Sequence, residues 1–136
     1  MIAMAVAATL LLRVDAVPSR RSTSACIFAI RAPLVGGGTQ TTCLTSIDGV
    51  PAPSATMHSR GTMAFALRGG LLRAQVRITQ RFAADGVHAR QTVSGRVSGG
   101  SGRFAGTRGT ISGGGSVVDR RGGLGRVDLR YTIALA

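Results

Sequence analysis

Two runs of alternating residues flank an Asp-Gly pair, and they leave this chain little freedom in how it folds. In LRAQVRITQRF, Leu72, Ala74, Val76, Ile78, Gln80 and Phe82 share one phase, while Arg73, Gln75, Arg77, Thr79 and Arg81 take the other. In VHARQTVSGRV, Val87, Ala89, Gln91, Val93, Gly95 and Val97 alternate with His88, Arg90, Thr92, Ser94 and Arg96. A period of two is the mark of a strand with one apolar and one wet face, as in antiparallel sheets. Asp85-Gly86 lies between the runs and predicts a two-residue hairpin turn, since both residues tolerate positive φ. That turn pairs Ile78 with Val93, Ala74 with Val97 and Phe82 with Ala89 on one face. It pairs Thr79 with Thr92 and Arg81 with Arg90 on the other. The register set by the turn agrees with the register set by the apolar phase, so a slip would bury arginines.

The same pattern recurs. RVDLRYTIAL places Val127, Leu129, Tyr131, Ile133 and Leu135 against Arg126, Asp128, Arg130 and Thr132. Weaker strands are expected at Ala25–Ala32, Thr41–Ile47, Gly61–Leu67, Phe104–Ser112 and Ser116–Asp119, separated by glycine- or proline-rich connections. The expected fold is all-β, an antiparallel barrel of about eight strands, because closure removes sheet edges and such a barrel holds side chains or one small ligand.

The N-terminus reads differently. Ile2–Leu12 is an uncharged apolar run, too short to span a bilayer, and Val14-Asp15-Ala16 suits a signal-peptidase site. The expectation is a signal peptide over residues 1–16, a single domain over 17–136 and a secreted, extracellular protein. An apolar first strand or helix is the alternative. Cys26 and Cys43 are the only cysteines. An oxidising compartment favours a disulfide between them, closing a loop of about 17 residues and contributing on the order of 3 kcal/mol. Two buried free thiols are the alternative.

The chain has 17 basic and 5 acidic residues and a net charge of +12. Every basic residue is arginine and every acidic one aspartate. Such a balance favours anionic partners. Aromatic residues are 4% of the chain and absent from the basic clusters, which disfavours nucleic acid, whose bases stack on aromatic rings.

VSGGSGRFAGTRGTISGGG (Val97–Gly115) is the most glycine-rich stretch. It is no phosphate loop, since a Walker motif needs a lysine and this chain has none. Its flanks continue as strand, where glycines mark bends, bulges or close backbone approach. SGGSGRFAGTRGTISG (Ser98–Gly113) resembles the GGTG-[RK]-[FY]-x-G-A-x-G motif of dirigent proteins and the related allene oxide cyclase barrels, with Ser101 where threonine is usual. The likeness extends over about residues 61–135. It implies a calycin-like eight-stranded barrel with a central cavity, often trimeric. It also implies a cavity that folds a reactive substrate: guided radical coupling, cyclisation, or cycloaddition by shape alone.

Among chemistry-bearing residues, no G-x-S-x-G elbow is present, and His58 and His88 lack metal-ligand spacing. Neither metal nor cofactor is expected. His88 reads as a surface residue; Asp48, Asp85 and Asp119 read as turn residues, and Asp128 as a cross-strand ion-pair partner. The informative residues are polar ones in the apolar phase. Gln80 and Gln91 fall opposite each other, and Tyr131 adds a third inward polar tip. Buried amides need partners: these two either bond each other or orient a ligand. The candidate cavity therefore comprises Gln80, Gln91 and Tyr131 with Phe65, Ile78, Phe82, Val93 and Leu129. The leading expectation is a non-catalytic barrel that binds a small apolar or aromatic molecule or has a structural role. A cyclase or coupling-guidance enzyme is the second, and a basic surface for anionic polymers, probed at Arg81 and Arg90, the third.

Overall fold

The computed structural model describes residues 8–120 and 123–136. The described residues form strands and turns without a helix, and none of them belongs to a helix long and apolar enough to cross a membrane. The strands are β1 (Ala8–Ala16), β2 (Ser19–Arg21), β3 (Phe28–Pro33), β4 (Thr39–Asp48), β5 (Thr56–Leu67), β6 (Gly70–Phe82), β7 (His88–Gly102), β8 (Gly109–Arg120), β9 (Gly123–Leu124) and β10 (Val127–Leu135). One curled, barrel-like antiparallel sheet runs in the order β1-β10-β8-β7-β6-β5-β4-β3-β2, and β9 pairs β8 outside this path.

The β6–β7 hairpin has the expected register. Ile78 pairs with Val93, Thr79 with Thr92, Gln80 with Gln91, Arg81 with Arg90 and Phe82 with Ala89. The ladder holds to Ala74–Val97, then shifts by one residue at a bulge. The turn itself is longer than expected. Ala83 N donates to His88 O at 2.8 Å, so Ala84–Val87 form a four-residue loop. Gly86 takes φ +69°, and Asp85 Oδ1 accepts from the amides of Val87 and His88 at 2.9 and 3.0 Å. Lengthening the loop by one residue on each side leaves the register unchanged. The segments expected separately at Phe104–Ser112 and Ser116–Asp119 are largely one strand, β8, preceded by a turn through Phe104–Thr107.

Glycines let β8 lie close to its neighbours. Gly113 sits opposite Tyr131, and a Cβ there would stand 2.9 Å from Tyr131 Cδ1. The missing side chain is the space the buried tyrosine ring occupies, and that ring meets Phe65 edge-on at 5.6 Å between centroids.

Residues 8–16, expected within the leader, form strand β1 in the described chain. These residues pair with β10 from Ala8–Leu135 to Ala16–Val127, and Val14 is 1% exposed in the core. Residues 1–7 lie outside the described residues. Alternation explains the strand: Leu10, Leu12 and Val14 point inward, and Thr9, Leu11, Arg13 and Asp15 outward. On the outer face Asp15 stands opposite Asp128, and like charges so placed repel. Arg13 offsets this by gripping Asp128 with two bonds of 3.0 and 2.9 Å, and Arg126 binds Asp15 at 2.9 Å.

β1 and β2 are the two ends of the sheet, yet only Val17 and Pro18 separate them in the chain. One chain segment thus pairs with β10 by its first half and β3 by its second. Val35 N donates to Arg13 O across this seam at 2.8 Å. Cys26 and Cys43 form a disulfide with their Cα atoms 5.3 Å apart, tying the approach to β3 onto β4.

A chain shortened to begin at Val17 loses the β10 ladder and leaves the Val14 site empty. It is expected to lose the cooperative thermal transition of the full chain in circular dichroism; an unchanged transition would remove β1 from the fold. Opening the disulfide with Cys26→Ser and Cys43→Ser is expected to cost about 2–4 kcal/mol in urea unfolding.

Candidate ligand cavity

The inward phase of the strands does not fill the interior completely. A cavity of about 280 Å³ remains, close to the lower end of ligand-site volumes, ~300–1,000 Å³. One wall comes from β3–β5: Phe28, Ile30, Gln40, Thr42, Leu44, Met57, Ser59 and Met63. The facing wall comes from β8 and β10, with Val117, Asp119, Val127, Leu129 and Tyr131, and Ile78, Gln80 and Gln91 close it between. The exposed Val50 and Arg120 stand at its open end, with Pro51 and Leu124.

Of the residues expected in a cavity, Gln80, Gln91, Tyr131, Ile78 and Leu129 line it. Phe65, Phe82 and Val93 do not. Phe65 and Val93 are spent in the main core, and Phe82 packs with Met57 and Ala89 in a second cluster.

Gln80 and Gln91 are both buried, and Gln80 Nε2 donates to Gln91 Oε1 at 2.7 Å. The bond leaves Gln80 Oε1 buried without a partner among the described residues. Opposite them Gln40 donates to Thr42, both buried. Burial pushes the Tyr131 phenol far above its ordinary pKa, so it stays a neutral hydroxyl.

Asp119 was expected in a turn; the structure places it in the cavity wall instead, 4% exposed. Arg20 NH1 donates to its Oδ1 at 2.9 Å, and Arg20 NH2 donates to Arg120 O at 2.9 Å. The guanidinium also lies over the Phe28 ring at 4.8 Å. Burial raises the Asp119 pKa, and the Arg20 charge and hydrogen bond pull against it. This pair, Gln40, Thr42 and Ser59 escaped sequence reasoning. Arg20 lies ninety-nine residues before its partner, so no local pattern joins them. Met63 carried a signal, since it shares a phase with Phe65 in GTMAFAL.

The other candidates lie outside the barrel. His88 is exposed and bonds the Asp85 carboxylate beside the hairpin loop. Arg81 and Arg90 are exposed and directly opposite. Asp128 is not between them; it is held by Arg13. Among the described residues, no three His, Cys, Asp or Glu side chains are grouped to hold a metal ion.

No protein-family model, no curated protein and no solved structure matches this chain.

The loop aspartate gives a pH test. The Val87 and His88 amides and the His88 ring lower the Asp85 pKa from 3.8 to about 2. A depressed folded-state value stabilises above the unfolded pKa, and the gain is lost as pH falls through the folded one. The stability difference between the native chain and Asp85→Asn is therefore expected to be constant above about pH 5 and to vanish between about pH 4 and 2. Urea midpoints across that range measure it; a difference that persists at pH 2 would exclude the capping role.

Proposed function

We propose that the barrel binds, without catalysis, one small and mainly apolar molecule that carries a hydrogen-bond donor. The observation that carries this reading is Gln80, which lines an otherwise mainly apolar cavity and whose buried Oε1 has no hydrogen-bond partner among the described residues. Leaving such a group unsatisfied costs about 1–3 kcal/mol. A ligand hydroxyl or N–H supplies the missing bond as its apolar body fills the cavity. The disulfide supports a setting outside the reducing cytosol, and the proposal places the protein among secreted binding barrels of the dirigent-like type.

One observation favours a second reading, a cyclase or isomerase acting largely by cavity shape. Asp119 is a buried carboxyl with raised proton affinity in the cavity wall, as a general acid requires. Turnover of a bound compound that disappears in Asp119→Asn while binding persists would favour this reading over simple binding.

The test uses the double variant Gln80→Leu/Gln91→Leu. Replacing both partners by apolar groups of similar shape is nearly neutral or stabilising for the free protein. Affinity for a phenol is expected to fall about tenfold, or ~1.4 kcal/mol, with little change for benzene, read by NMR titration. Ile78→Trp should fill the cavity and abolish both. Binding of neither probe by the native chain would end the proposal.

A further inference from the structure

The outer face of β5, β6 and β7 is strongly basic and lies on the opposite side of the sheet from the cavity. These strands contain no acidic residue, and they present Arg60, Arg73, Arg77, Arg81, Arg90 and Arg96 to solvent. Two of the arginine pairs are direct cross-strand neighbours, Arg60 with Arg77 and Arg81 with Arg90. Like charges in that position destabilise a sheet. On other strands Arg13, Arg20 and Arg126 are paired with aspartates. None of the six arginines on this face is in an ion pair among the described residues. Strands β5–β7 therefore carry six unpaired arginines and no carboxylate of their own.

The face also has shape. An outer depression of about 570 Å³ is bounded by Arg60, Arg77 and Arg96 with Thr45, Gln75 and Ser94. Three guanidinium forks therefore surround one hollow with hydroxyl and amide groups between them. Such forks suit planar or tetrahedral oxyanions, which they bind bidentately. Along β6, Arg73, Arg77 and Arg81 recur every four residues, ~13 Å apart on one face. The arrangement is a repeating row of cations with a hollow beside it.

We propose that this face binds an acidic polysaccharide, with the Arg60–Arg77–Arg96 hollow holding one anionic sugar residue and the row along β6 following the chain. The chemistry of the face separates this partner from other polyanions. Single-stranded nucleic acid gains affinity by stacking bases on aromatic rings, and β5–β7 present no Phe, Tyr or Trp outward. A membrane-inserting surface needs protruding apolar side chains. The exposed large ones are Leu11, Val17, Ile27, Val35 and Val50, all outside this face. A second copy carries the same net charge of +12 and is repelled.

Fluorescence anisotropy with four labelled or competing probes tests the proposal: heparin, polygalacturonate, oligo-dT and vesicles containing phosphatidylglycerol. The full chain is compared with Arg60→Ser/Arg77→Ser/Arg96→Ser and with Arg21→Ser/Arg31→Ser/Arg68→Ser, which removes the same charge elsewhere. The expected result is binding of one or both polysaccharides, weakened at least tenfold by the first triple change and less than about threefold by the second. Binding should weaken steeply between low and physiological salt, since exposed charges are screened. Circular dichroism confirms that both variants keep the sheet. Equal loss in the two variants would mean attraction by net charge only, and would overturn the site. Tighter binding to oligo-dT or to vesicles than to either polysaccharide would overturn the partner. Absence of binding at low salt would overturn both.

Discussion

The structure depends on one covalent accident of topology: a single segment supplies both ends of the sheet. Ala8–Ala16 satisfies the open edge of β10, and Ser19–Arg21 satisfies that of β3. An unpaired edge presents a row of free amides and carbonyls to other chains. Here consecutive residues pair with β10 and with β3, with the bend at Val17-Pro18. Proline suits the bend because it has no amide to leave unsatisfied. The seam also sets the cavity mouth. Arg20, on the short second half, reaches Asp119 and the carbonyl of Arg120 on β8. The ion pair is therefore part of the cavity wall and a bridge between β2, at one end of the sheet, and β8, the third strand from the other end.

Strand periodicity then divides the molecule into two chemistries. Inward positions carry the core, with a few amides and hydroxyls around the remaining volume. Outward positions carry nearly all the arginine. None of the outward arginines of β5–β7 lines the cavity. Binding inside the barrel and binding on β5–β7 are expected to respond differently to salt for this reason. One is driven by apolar burial and one hydrogen bond, the other by exposed charge.

How much of this was legible in the sequence varied with how local the signal is. The β6–β7 hairpin could be placed residue by residue because turn chemistry and apolar phase constrained the same register. The disulfide followed from there being only two cysteines and from the compartment argued for them. β1 is hard to recognise as a strand because Leu11 faces outward, 78% exposed, between the inward Leu10 and Leu12. That one residue turns an alternating strand into an apparent apolar run, which near an N-terminus resembles a leader. The β4 wall was hidden for the opposite reason. In TQTTCLT both phases begin with polar residues, so nothing marks Gln40 and Thr42 as inward. Asp119 precedes an arginine-glycine turn and was read by that neighbourhood; its true partner is set by tertiary closure alone.

The paired glutamines bear on function through their cost. Two leucines at Gln80 and Gln91 would fill similar space and leave no acceptor without a partner. The amides satisfy each other only once, since a donor–acceptor pair between two carboxamides leaves further polar atoms to be served. In a sealed core that arrangement is a net loss of about 1–3 kcal/mol. It becomes favourable where something enters to complete it. The same cavity wall carries Tyr131 as a neutral hydroxyl and Asp119 as a carboxyl of raised proton affinity, both consequences of burial. Polar groups are thus set at separate points around an apolar volume, which fixes a ligand's orientation more than it adds to its affinity. The proposed ligand is accordingly an amphipathic small molecule: its apolar body accounts for the wall, and its donor for the unpaired oxygen.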